Sequence, residues 1–188
     1  MSRRVRRLAL VLVALVVVVV VVALVFTSRP RLDDDRDATE DVWTQDLRTP
    51  LSDRYLRLSE VVVQLRDAGA DDRDVTQALA RELDRWDELR RASDPDVADE
   101  VETSNRLEGL WARTEASVAG SPRLSASEPL LAARQAFVAT APPQPAVDAY
   151  NRSAEEYQDT REGLRYRLVA RVFGYDALPT SVLGTRPT

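Results

Sequence analysis

Hydrophobic positions follow two regimes along this chain. From Leu8 to Phe26 runs LALVLVALVVVVVVVALVF, 19 residues without a polar side chain. As an α-helix it would be ~28 Å long, close to the ~30 Å hydrocarbon core of a bilayer. A cleaved signal sequence has a shorter apolar core, ~7–15 residues, ending in a small-x-small site. Leu24-Val25-Phe26 offers no such site. The expectation is an uncleaved signal-anchor, one transmembrane helix over 8–26, with a basic flank at 1–7 and a polar juxtamembrane linker at 27–37.

Beyond residue 37 the apolar residues recur at helical spacing. Thr49-Pro50 reads as a helix cap and first turn. Leu51, Tyr55, Leu58, Val62 and Leu65 then follow at steps of four and three, one stripe on a helix that closes at Gly69. A shorter helix around Trp43 and Leu47 should lead into it, interrupted or bent at Pro50. Val75, Leu79, Leu83, Trp86 and Leu89 give a second helix over about 72–92. Asp94-Pro95 should cap a third, whose stripe (Val97, Val101, Leu107, Trp111, Val118) is diluted by polar residues. Such a stripe predicts the least buried helix, or the one that faces a partner. Ser127-Glu128-Pro129 starts a short helix that the prolines at 142, 143 and 145 must end. Val147, Tyr150, Ala154, Tyr157, Arg161, Leu164 and Leu168 make a coiled-coil-like seam with Arg161 inside it, which Gly163 should bend or split. No stretch alternates as a strand does. The predicted fold is all-α: the N-terminal transmembrane helix, then an antiparallel three- to four-helix bundle over 38–176, then a flexible tail at 177–188.

Three segments resemble the LemA family of bacterial membrane proteins. Pro122-Arg-Leu-Ser-Ala-Ser127 is similar to that family's proline–leucine–small-residue helix start, Tyr150-Asn151 to its Tyr-Asn pair, and Leu168-Val-Ala-Arg-Val-Phe-Gly-Tyr175 to its closing segment. The family's second polar-aromatic stretch is replaced by the Pro142–Pro145 loop, and its Phe-Pro break by Arg161-Glu162-Gly163, which marks a divergent member. The resemblance implies a membrane-anchored helical bundle of unknown molecular function, with no catalytic residues to carry over.

Charge sets orientation. Arg3, Arg4, Arg6 and Arg7 precede the apolar run, against Arg29, Arg31 and Arg36 after it. Basic flanks stay cytoplasmic, so the N-terminus is expected inside and the bundle outside the plasma membrane. With those four set aside, 22 basic residues face 31 acids, a poor balance for nucleic acid. Every basic residue is Arg, which with abundant Ala, Val and Asp points to a GC-rich bacterial genome.

The composition also narrows the chemistry. With no His, Cys or Lys, the chain lacks the usual metal ligands, the usual general base and every Ser-His or Ser-Lys arrangement. The acids at Asp71, Asp72 and Asp74, and at Asp94, Asp96, Asp99, Glu100 and Glu102, sit at helix starts, where they complement the dipole. No enzyme, cofactor or metal is expected. The expectation is a cell-envelope interaction or scaffold protein, binding a protein partner or itself, with Trp111 as an interface anchor. The alternative is an extracytoplasmic sensor holding a small anion near Arg161.

Overall fold

A computed structural model describes the backbone of residues 3–93 and 95–183, and the side chains from residue 12 onward except Val17, Val20, Val21 and Leu24. Asp94, residues 184–188 of the expected tail and the side chains of Arg3, Arg4, Arg6 and Arg7 lie outside the described residues.

The described chain is all-helical. Helix α1 (Arg3–Val42) passes through a π-helical turn (Trp43–Leu47) straight into α2 (Arg48–Asp67). Then come α3 (Asp74–Arg91), α4 (Val97–Ala119), the single turn α5 (Pro122–Ser125), α6 (Glu128–Ala139), α7 (Gln144–Glu162) and α8 (Arg167–Phe173). The long α1–α2 rod is the backbone of a helical bundle: α7 lies along α1, α6 and α3 along α2, and α4 along α3. Among the described residues, no helix is long and apolar enough to cross a membrane. Much of the 8–26 run has side chains outside that set.

The stripe read from α2 forms the core, with Leu51, Tyr55, Leu58, Val62 and Leu65 all buried. The interruption expected at Pro50 is the π turn itself, which ends at Leu47, leaving Pro50 in the first turn of α2. Trp43 and Leu47 are buried on the π turn, and the Trp43 ring lies 5.0 Å from that of Tyr150 on α7.

Four expectations need correction. Residues 27–37 are helix, not linker: Ser28 and Leu32 are buried, and Arg31–Asp35 (3.1 Å) and Arg36–Glu40 (2.5 Å) pair one turn apart. Thr160 Oγ1 donates to Asp35 Oδ2 at 2.9 Å, tying this stretch to α7. Next, Asp96 caps α4, accepting from the Ala98 N–H at 2.8 Å. Helix α4 is also far from the least buried, because its inward polar residues find hydrogen-bond partners, local or across the bundle. Ser104 Oγ meets the Tyr55 hydroxyl at 2.7 Å, and Thr114 Oγ1 donates to the Leu110 carbonyl at 2.9 Å. Finally, the expected tail docks as far as Leu183, with Leu178, Ser181 and Leu183 buried.

The seam through α7 stops early. Val147, Tyr150, Ala154 and Tyr157 are buried, but α7 ends at Glu162 because Gly163 turns extended (ψ 137°). Leu164 is left 97% exposed. The chain restarts as α8, whose Val169 and Ala170 pack with Leu32, Tyr157, Tyr175 and Leu178 in a second, smaller core.

Candidate functional site

A concavity lies beside each of the two residues singled out in the sequence. The first, about 1110 Å³, runs along α4 at Trp111. Trp111 is half-buried, its ring 4.6 Å from that of Phe137 on α6 and tilted by 57°. Gly109 adds open space, since a Cβ there would meet nothing within 4 Å. Pro142 and Val147 make an apolar wall, and Leu183 of the docked tail closes one end.

The groove is braced by an ion pair. Arg54 Nε and Nη2 donate to the Glu108 carboxylate at 2.8 and 2.9 Å, and Nη1 donates to the Phe137 carbonyl at 3.1 Å. Its guanidinium also lies 3.9 Å from the Phe137 ring centroid. Tyr55, beside Glu108, has its phenol pushed well up by burial and by that carboxylate.

The docked tail was not legible in the sequence. Asn151 donates to the Ser181 carbonyl (3.0 Å) and accepts from the Ser181 N–H (2.7 Å). Asn105 donates to the Thr180 carbonyl (2.8 Å) and accepts from the Val182 N–H (2.8 Å). Two helix side-chain amides, on α4 and α7, therefore hold one extended segment from both sides. The Tyr150 hydroxyl adds a bond to the Pro179 carbonyl at 2.9 Å. Burial, more than Glu40 nearby, raises the Tyr150 phenol.

The second concavity, about 730 Å³, is lined by Arg161, Arg167, Arg171, Glu162, Tyr175 and Asp176. Arg161 does not sit inside a helical seam. It lies near the end of α7, and its Nε donates to the Tyr175 carbonyl at 2.8 Å. That bond ties α7 to the chain leaving α8. Trp111 and Arg161 thus belong to separate surfaces.

One acid departs from its helix-start role. Glu100 is fully buried, with Oε2 accepting from Trp43 Nε1 at 2.6 Å and from Arg48 Nε at 3.0 Å. Oε1 has no hydrogen-bond partner among the described residues. Its position on the inner face of α4, one turn after Asp96, is the only sequence signal for this. Among the described residues, no group of three or more acids is placed to hold a metal ion.

Comparison with known proteins found no family model, curated protein or solved structure that matches this chain.

Proposed function

We propose that this chain is a LemA-like, single-pass membrane-anchored antiparallel bundle that works by binding a protein partner, without catalysis. The 8–26 run supports the anchor by its length and apolarity. The N-terminal arginines favour a cytoplasmic N-terminus and a bundle outside the plasma membrane. A chain without His, Cys or Lys has few routes to acid–base or covalent catalysis.

The observation that carries the partner reading is the groove at Trp111. A half-buried tryptophan faces an apolar concavity with a braced floor, and buried aromatic anchors of this type dominate binding energies at interfaces. The test is a photocrosslinking residue at Ala112 in the full chain, in native membranes, beside a control at Leu56, exposed on α2. An adduct at 112 that Trp111→Ala removes, with helicity unchanged, supports the reading; an adduct at twice the chain mass would mean self-association. Equal labelling at both positions would sink it. Protease treatment of intact cells reads orientation: a bundle protected until lysis would reverse the assignment.

The concavity at Arg161 favours a second reading, a sensor of small anions. Against it, the Arg161 Nε already serves a backbone carbonyl.

A further inference from the structure

Helix α8 and the turn at 163–166 carry apolar side chains that none of the described residues covers. Leu164, Leu168 and Val172 are 97%, 51% and 68% exposed. Leu168 and Val172, four apart, share one face of α8. The buried side, Val169 and Ala170, packs with Leu32. The same stretch exposes Arg165, Arg167 and Arg171. Among the described residues none of these three is ion-paired, although Glu162 and Asp176 share the concavity with Arg167 and Arg171.

The position of α8 gives this pattern meaning. Val25 and Leu32 of α1 pack into the same small core, and the Arg29 guanidinium lies 5.2 Å from the Phe173 ring centroid. The apolar run ends at Phe26, itself 76% exposed. Arg29 and Leu32 stand ~5 and ~9 Å farther along the helix axis. The headgroup layer of a bilayer is ~5–7 Å deep on each side. A span over 8–26 therefore sets α8 against the headgroup layer, with Val25 and Arg29 within it or below and Leu32 just past its outer edge.

We propose that α8 and its preceding turn form an interfacial element that lies on the bilayer beside the span. Leu164, Leu168 and Val172 enter the acyl boundary, and Arg165, Arg167 and Arg171 bind anionic phospholipid headgroups. The proposal rests on the anchored reading above. It commits to a lipid surface on two grounds: charge complementarity, with unpaired arginines on an acidic chain, and direct continuity with the span. The contact would fix the bundle against the membrane at a second point.

Because the chain has no cysteine, a single introduced one takes an environment-sensitive fluorophore cleanly. The full chain is placed in nanodiscs of mixed zwitterionic and anionic phospholipid, labelled at Val172→Cys, at Leu56→Cys on α2, or at Leu15→Cys within the run. Nitroxide lipids quench at headgroup or mid-chain depth. The expected result is several-fold stronger headgroup-depth quenching at 172 than at 56, and mid-chain quenching at 15. Quenching at 15 with equal signals at 172 and 56 overturns the α8 proposal and leaves the anchor standing. No quenching at 15 removes the anchor, and this proposal with it. Replacing Arg165, Arg167 and Arg171 by Gln should lower the docked-to-free ratio by about fivefold per residue in anionic discs, with helicity unchanged. If excess inorganic phosphate in purely zwitterionic discs shifts the 172 fluorophore as far as anionic lipid does, the arginines read a soluble anion and the membrane contact is refuted.

Discussion

Arg54 is the residue whose loss the bundle should feel most. Its side chain is 9% exposed and that of its partner Glu108 15%, so the pair is nearly shut off from water. Arg54→Met keeps the apolar stem but removes the charge, leaving the largely buried Glu108 carboxylate without its cation and the Phe137 carbonyl without its 3.1 Å donor. Removing one partner of a buried ion pair costs ~3–5 kcal/mol. The lost stacking over Phe137 adds ~0.5–2 kcal/mol, partly recovered by the Met side chain. We expect a loss of ~4 kcal/mol, which for a bundle of this size lowers Tm by about 10 °C. Circular dichroism on the full chain in mild detergent would measure it. Arg54→Met with Glu108→Leu should regain ~2 kcal/mol or more, because the stranded carboxylate is gone. The reasoning fails if the single variant costs under ~1 kcal/mol, or if the double variant is no more stable than the single.

Other expectations follow from the same contacts. Burial holds the phenols of Tyr55 and Tyr150 above their ordinary range. Their folded pKa values exceed the unfolded ones, so their contribution is fully present below pH ~10 and is lost as pH rises beyond it, by ~1.4 kcal/mol per pH unit per tyrosine. Urea unfolding at increasing pH should show that fall, and Tyr55→Phe should flatten it. Asn151→Ala removes two bonds to Ser181, worth ~2 kcal/mol together, so the Ser181 amide should exchange hydrogen ~30-fold faster. Asn105→Ala should do the same at Val182; unchanged rates would mean that the tail is held elsewhere. Gly109→Ala should stabilise α4 by up to ~1 kcal/mol, since the new methyl meets open space. A fall in Tm would show that the groove is tighter than the geometry implies.

Where packing follows local periodicity, the sequence is a good guide. The stripe from Leu51 to Leu65 and the breaks at Gly69 and Pro142 report only neighbours within a few turns, and all hold. Residues 27–37 misled because the acids resemble a solvated spacer, yet Arg31 and Arg36 each sit four residues before an acid. That pairing and the contact with α7 carry the helix through Pro30. Arg161 misled for a different reason. Its periodicity is helical on both sides of Gly163, and of the two outcomes expected there the split is what occurs, so the pattern continues across a break in the backbone. The tail was beyond local reasoning, because Asn105 and Asn151 come together only once α4 and α7 have packed. Glu100 shows the same limit: an acid at a helix start reads as surface until Trp43 and Arg48 close over it.

The unbroken passage from α1 through the π turn into α2 has a mechanical consequence. If the run at 8–26 crosses the bilayer, helix and not loop joins it to the bundle. From Phe26 to Val42 the helix rises ~24 Å, a lever continuous with its foot and carrying Pro30 near its base. Apolar spans lean when the surrounding lipid is thinner than they are, and every degree of lean would be handed to the Trp111 groove as a change in height and heading. Bilayer thickness would then help decide which neighbours the groove can reach.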